Sequence, residues 1–211
     1  MNIIKPKLER LHKGHSIAIE ISNNINNLEI QNKEFTDVYE KVNEECYEFR
    51  NCKFKNCQLI SSNFEKGYFC NIIFENCDFS NSNFSKAGFN KVEFKNCKLT
   101  GCDFIETDLF NVSFIECNLS YINLSIANIK NAIVKESNLK NSSMSEMTLR
   151  NVEFDNSNLK GSQLFRTKLN EIDFSNCNIE GIIVGTNDLK GLIVNEFQAI
   201  ELSKLLGIKI K

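Results

Sequence analysis

Histidine is nearly missing from this 211-residue chain, which has two, His12 and His15, both close to one end. No Ser/His or Cys/His pair can be assembled over most of its length, which removes the commonest nucleophilic machinery. The His-x-x-His spacing has no further histidine beside it and is read as ordinary surface rather than as a metal site. Proline occurs once, at Pro6, and tryptophan not at all. A chain almost free of proline keeps nearly every backbone N–H, as an extended ladder requires. No run of about 20 apolar residues occurs, and the opening MNIIKPKLER lacks the apolar stretch of a signal peptide, so a soluble cytoplasmic protein with no membrane contact is expected. There is no glycine-rich phosphate loop. Nor is there a basic surplus: 25 Lys and Arg stand against 27 Asp and Glu, a net charge of −2. Direct nucleic-acid binding by bulk electrostatics is therefore not expected.

What the sequence does have is a period. From Phe49 to Val194 a large apolar residue falls on every fifth position, giving 30 centres: 13 Phe, 11 Leu, three Val, two Ile and one Met. Two residues before most centres stands a second small or short aliphatic side chain, as in Cys52, Cys57, Ser62, Gly67 and Ile72, and the positions between are mainly Asn, Ser, Asp, Lys and Glu. Five matches neither the helical 3.6 nor the strand's 2, so the chain must turn every five residues. If four quintets make one coil, residues 20 apart stack as a parallel ladder about 4.8 Å apart. The columns agree. One reads Phe54, Phe74, Phe94, Phe114, Val134, Phe154, Phe174, Val194, and the next Leu59, Phe79, Leu99, Leu119, Leu139, Leu159, Ile179. Each side has its own chemistry, as a four-sided all-β solenoid of stacked coils requires.

Quintets such as NCDFS, NSNFS, GCDFI, ESNLK, NSNLK and NCNIE resemble those of the pentapeptide-repeat proteins. The resemblance covers residues 49 to 194 and implies a right-handed quadrilateral parallel β-helix, here with a C-terminal α-helical cap. The expected organisation is residues 1–45 as an N-terminal cap and partial first coil, 46–194 as the repeat, and 195–211 as a C-terminal helix and short strand. In the first part HSIAIEIS alternates Ile17, Ile19 and Ile21 and predicts a strand over the open end of the first coil. Ile25, Ile30 and Phe35 keep the spacing of five one residue out of phase, followed by an irregular connection from Thr36 to Cys46. At the far end Asn195 is placed to cap a helix to about Leu206, with Ala199, Leu202, Leu205 and Leu206 as its apolar stripe, Gly207 as its stop, and IKIK as the strand. Asparagines at the corners, such as Asn51, Asn71, Asn131 and Asn151, are expected to form side-chain ladders.

Of nine cysteines, seven (52, 57, 77, 97, 102, 117 and 177) take the inward position two before a centre. They are read as small core fillers, with the stacked Cys57, Cys77, Cys97 and Cys117 close enough to bridge but expected to remain thiols in a reducing compartment. No catalysis, metal or cofactor is expected.

The surface is then the candidate function. Residues 16 to 203 carry 26 acids and 18 bases, a net of −8. No base occurs between Lys98 and Lys130, where Asp103, Glu106, Asp108 and Glu116 are acidic. Glu106, Ile126 and Glu146 should stack in one corner column, with Asp108 and Phe110 on the adjoining face. This mixed acidic and apolar surface is the candidate partner site. Resemblance to the Qnr and MfpA branch implies a protein that binds DNA gyrase or topoisomerase IV and protects it from quinolones as a DNA-like acidic rod. It also implies a homodimer through the C-terminal cap, with Phe197, Ala199, Leu202, Leu205, Leu206, Ile208 and Ile210 as candidate contacts. Duplex DNA of the rod's length, about 36 Å, would carry roughly 21 charges, so charge alone makes this chain a weak mimic. The unbroken repeat lacks the projecting loops of many Qnr proteins. The other reading is a structural or adaptor solenoid with a different protein partner.

Overall fold

The inward-facing positions of the quintets drive the fold by burial, and the corners permit it. In the computed structural model, which describes residues 3–23, 29–43 and 47–210, all 30 centres are buried except Leu149, Leu189 and Val194, which are half-buried. Between quintets the backbone enters the left-handed region, with φ of 50° at Asn51, 61° at Asn71 and 54° at Asn131. Asparagine tolerates that region better than most residues, which accounts for the Asn-rich corners.

Two adjoining sides of successive coils form strands of eight residues: β4 (Glu48–Lys55), β5 (Tyr68–Glu75), β6 (Gly88–Lys95), β7 (Asp108–Ile115), β8 (Asn128–Lys135) and β9 (Thr148–Asp155). Each pairs with the next in parallel at an offset of 20, so Phe49 faces Phe69, Phe69 faces Phe89, and Phe94 faces Phe114. The other two sides are held by single bridges such as Gln58 to Asp78 and Asn63 to Asn83. The expected Asn ladders are present. Asn71 Nδ2 donates to Asn51 Oδ1 at 3.0 Å, and Asn96 Nδ2 to Asn76 Oδ1 at 2.8 Å.

The N-terminal end differs from expectation in three ways. HSIAIEIS is not a strand: α1 spans Ile17–Asn23, with Ile17 and Ile21 buried as a plug in the first coil. Alternation suits a strand only where an edge is free to pair, and here β1 (His12–Gly14) already takes that position against residues 33–35. Second, the connection from Thr36 onward continues the coil. Strands β2 (Glu29–Gln31) and β3 (Lys33–Thr36) pair with β4 at an offset of 19, as Ile30 to Phe49 and Phe35 to Phe54. Tyr39 pairs with Gln58, again 19 away, whereas Asn43 pairs with Asn63, 20 away. One side is therefore a residue short, which explains the phase slip. Ile25 and Cys46 lie outside the described residues. Third, the shortened side puts Glu40 in the register of Leu59. Its carboxylate caps α1, accepting from Ile17 N–H and from Ser16 Oγ at 2.7 Å.

At the other end the regularity fades. No strand pairs with the second edge of β9 among the described residues, and no bridge joins 148–155 to 168–175. A cleft lined by Leu149, Asn151, Phe154, Lys168 and Glu171 opens there. The inward column that holds Gly67, Ala87, Thr107 and Ala127 has Met147 at this coil, buried and far larger. An oversized side chain in a packed column forces its neighbours apart. A 3-10 turn at Thr186–Leu189 then replaces the corner.

Helix α2 (Glu196–Ser203) starts at Asn195 in a full capping box and passes into a 3-10 turn, Lys204–Leu206, stopped by Gly207 at φ 73°. Its docking is mainly polar, with Leu202 alone of the predicted stripe packed against the core. Gln198 is buried and donates from Nε2 to the carbonyls of Phe174 at 2.8 Å and Cys177 at 2.7 Å, closing the last coil's open ladder. Of the predicted stripe, Leu202 is half-buried and Ala199, Leu205 and Leu206 are exposed. IKIK forms no strand over residues 208–210, because no neighbouring edge is there to pair with it.

Candidate protein-binding surface

Glu106, Ile126 and Glu146 do stack at one corner. Their N–H groups donate to Ser125, Ser145 and Phe165 carbonyls at 3.1, 2.9 and 3.0 Å, each in the following coil. All three are left-handed, with φ of 57°, 64° and 59°. Ile126 is the one β-branched residue with positive φ among the described residues, and its side chain is 51% exposed. Such a conformation costs on the order of 1–3 kcal/mol, which burial does not offset here. The preceding corner of the same coil carries Tyr121, at φ 60° and 59% exposed, in a column where Gly101, Gly161 and Gly181 stand. Sequence reasoning missed Tyr121. The available signal was an aromatic at a corner position otherwise taken by Asn, Ser and Gly.

Asp103 lies on the side that this corner closes, its Oδ1 accepting from Ile105 N at 2.9 Å and Asn123 Nδ2 at 3.3 Å. Asp108, on the next side, accepts from Asn128 Nδ2 at 3.1 Å. Phe110 is 38% exposed with Lys130 Nζ 5.4 Å from its ring centre. Glu116 does not belong with these residues. It is two corners on from Glu106, half a coil away, and so lies diagonally across the rod. The acidic character is also interrupted. Arg166 Nη1 lies 3.3 Å from Glu146, and the corner column reads Lys66, Lys86, Glu106, Ile126, Glu146, Arg166.

The cysteine column consists of buried, hydrogen-bonded thiols. The eight described cysteines are free, and Cys70 alone among them is not fully buried. Cys97 Sγ donates to Phe74 O at 3.4 Å and Cys117 Sγ to Phe94 O at 3.4 Å, each in the preceding coil. Ser157 Oγ, further along the same column, does the same to Val134 O at 3.2 Å. Cys and Ser substitute for one another there because both are small donors that reach that carbonyl. Burial pushes the thiols of Cys52 and Cys102, which stand in other columns, up to about 12 and that of Cys97 up as well, whereas hydrogen bonds from Cys57 and Cys97 hold the Cys77 thiol below its usual range. Among the described residues no group of three or more His, Cys, Asp or Glu is placed to hold a metal ion. Among the described residues no helix is long and apolar enough to cross a membrane.

Beyond the last coil, Phe197, Ile200, Leu206, Ile208 and Ile210 are all exposed, Phe197 to 73%. They share one end of the rod with Leu205, also exposed.

A rod of stacked parallel coils with a filled interior, closed at both ends by short helices and bearing its chemical variation outside, is a β-solenoid. The Pentapeptide repeat region model matches residues 47–124 and 107–190, most of that solenoid, and the chain belongs to the pentapeptide-repeat family. Solved structures similar to it include full-length QnrB1, a plasmid-mediated fluoroquinolone resistance protein. It is 17% identical, with 85% of this chain and 100% of that one covered and a TM-score of 0.36. HetL, a pentapeptide repeat protein involved in heterocyst differentiation regulation in the cyanobacterium Nostoc sp., is 17% identical over 80% and 90% of the two chains, with a TM-score of 0.40. A pentapeptide repeat protein of the Arabidopsis thaliana thylakoid lumen is 20% identical over 60% and 71%, with a TM-score of 0.29. None of these similarities is high enough to transfer a partner. No curated protein matches the sequence significantly.

Proposed function

We propose that this protein is a non-enzymatic, protein-binding rod. Its mid-rod surface of Asp103, Glu106, Asp108, Phe110, Tyr121, Ile126 and Glu146 docks a protein partner. The observation that carries the reading is Ile126, an exposed β-branched residue held in a left-handed corner between two glutamates. Exposed apolar side chains ringed by charge fit a protein interface better than a nucleic-acid one. The resemblance to Qnr-type quintets makes a type II topoisomerase, DNA gyrase or topoisomerase IV, the partner this reading names, with quinolone protection as the consequence.

The test is gyrase supercoiling in ciprofloxacin, with the protein titrated from nanomolar to tens of micromolar. Rescue at low concentration that falls at least tenfold with Glu106→Lys or Ile126→Lys supports the reading. If the folded variants rescue as well as the parent, the docking surface lies elsewhere.

A second reading, an adaptor solenoid with a different protein partner, is favoured by one observation. Lys86, Arg166 and Lys130 break the acidic surface into patches, where mimicry of DNA calls for a continuous stripe. Absence of any gyrase effect across that titration selects it.

We assign the exposed Phe197, Leu205, Leu206, Ile208 and Ile210 to a homodimer contact, with Ala199 and the half-buried Leu202 at its edge. Light scattering checks it: Phe197→Asp with Leu206→Asp should halve the solution mass, and a monomeric parent would overturn the assignment.

A further inference from the structure

Residues 3–11 do not join the ladder. They run lengthwise down the outside of the rod, across the corner column Asn51, Asn71, Lys91, Asn111. Glu9 N donates to Asn51 Oδ1 at 2.9 Å. Lys7 N donates to Asn71 Oδ1 at 2.7 Å, and its carbonyl accepts from Asn71 Nδ2 at 2.9 Å. Ile4 N reaches Asn111 Oδ1 at 3.5 Å. From Glu9 to Ile4 the strap thus crosses three coils in five residues, about 14 Å at about 2.9 Å per residue, close to the rise of a polyproline-type extended chain. The corner and the strap match in length, two strap residues spanning the first coil step and three the next two.

They also match where the pattern breaks. The coil between Asn71 and Asn111 carries Lys91, which has no side-chain acceptor, and the strap residues between Lys7 and Ile4 include Pro6, which has no N–H to donate. The chain's one proline therefore falls where a missing donor costs nothing. Every bond between these asparagines and the strap is to strap backbone, so the corner reads an extended main chain rather than particular side chains. Lys5 Nζ, 3.6 Å from the Glu93 carboxylate, adds a charge preference. The fit is incomplete. Asn111 is 1% exposed, yet its Nδ2, the counterpart of the Asn71 donor, has no acceptor among the described residues, and buried Asn90 Oδ1 has no donor.

We propose that the Asn51–Asn111 corner is a binding track for an extended cationic segment of a partner protein, and that residues 3–11 occupy it as a built-in competitor. A ligand that supplied a carbonyl to Asn111 Nδ2 would satisfy the track better than the strap does. The partner binds only the fraction of molecules whose strap has lifted, so the strap sets the apparent affinity. This track is separate from the Ile126 corner and does not depend on the gyrase reading.

The experiment uses the full chain and a fluorescein-labelled peptide of residues 3–13, IIKPKLERLHK, as probe. Lys7→Pro with Glu9→Pro removes the two strong strap donors and leaves the rod untouched. That variant should bind the peptide at least tenfold more tightly than the parent. Adding Asn51→Ala and Asn71→Ala to it should abolish the gain, and a peptide carrying proline at the positions of Lys7 and Glu9, which lacks the two backbone donors, should bind at least tenfold more weakly. Equal binding by parent and strap variant, or equal binding of the proline-substituted peptide, overturns the proposal. In the parent, amide exchange at Lys7 should be slowed at least tenfold relative to Asn71→Ala. An unchanged rate would show that the track does not hold the strap, whatever the multiple variants do.

Discussion

The two halves of this rod obey one repeat and are held together differently. From Phe49 to Phe114 the 14 centres are 11 Phe and three Leu, whereas the 16 from Leu119 to Val194 include two Phe. In the first half the rings stack coil on coil, with centroids 4.9 Å apart for Phe54 and Phe74, 4.8 Å for Phe74 and Phe94, and 4.9 Å for Phe94 and Phe114. That spacing is the ladder spacing, so ring contact and backbone pairing reinforce each other. In the second half Leu, Ile, Val and Met fill the same positions without a fixed stacking distance. There the ladder opens, beyond β9, and the interior first admits a half-exposed centre at Leu149. A repeat in sequence is a promise of register, and packing determines whether it is kept.

The largest test of this difference truncates one centre in each half. Phe94→Ala removes a fully buried ring that stacks on both Phe74 and Phe114, and should cost about 3–5 kcal/mol. Leu149→Ala, at the opening, should cost less than the 2–5 kcal/mol usual for a buried Leu. Denaturant melts of both variants decide it, and equal losses would mean that the halves pack alike. Next in size is Gln198→Ala, which strands the Cys177 carbonyl at about 1–3 kcal/mol and leaves the Phe174 carbonyl with the Cys177 N–H as its donor. Gln198→Glu should fail to rescue, because a carboxylate has no N–H to give. A melt unchanged by Gln198→Ala would show that α2 does not close the coil.

How much of this was legible follows the same division. The period of five and the 20-residue columns expose the coil, because burial alone demands an apolar residue at each inward position. The corner asparagines, too, could be read from their tolerance of positive φ. What escaped is where a local pattern met a neighbour that no pattern records. Ile17, Ile19 and Ile21 alternate like a strand, yet β1 has the edge and Glu40 supplies a helix cap from 23 residues away. Ala199, Leu202 and Leu205 resemble a buried stripe, but the last coil offers α2 two carbonyls and calls for Gln198 instead. At the candidate site, Glu106, Ile126 and Glu146 were placed together correctly by counting twenties. Counting tens shows that Glu116 lies diagonally across, and the gap in lysines grouped it with the others because a one-dimensional gap ignores corners. The strap of residues 3–11 had no periodic signal, since its partner is the spacing of another part of the chain.

Backbone exchange sharpens the comparison at smaller amplitude. Centre residues donate forward to the next coil, as Phe64 does to Asn83, Phe84 to Asp103 and Leu124 to Ser143. Leu149 and Phe154 occupy the same role at β9 and face a coil that does not pair with them. Their amides should exchange at least tenfold faster than those of Leu109 and Phe114. Matched protection across all four would remove the opening as a property of the molecule in solution.

The smallest expected effect is the most discriminating. Met→Ala at a buried site ordinarily costs about 2–5 kcal/mol, because transfer energy is lost and a cavity remains. Met147, however, stands in a column that holds Gly67, Ala87, Thr107, Ala127 and Thr167 after the large Tyr47 of the first coil, so alanine there restores the size that lets neighbouring coils approach. The regained backbone pairs between 148–155 and 168–175 would offset the lost burial. Met147→Ala is therefore expected to change stability by no more than about 1 kcal/mol while slowing exchange at Leu149 and Phe154 toward the rates of the first half. A full loss of 2 kcal/mol or more, with exchange unchanged, would show that Met147 fills the opening rather than causes it. The cause would then lie in the coil that follows, where Glu171 replaces the corner asparagine and the ladder donating from Asn151 to Asn131 at 2.7 Å has no successor.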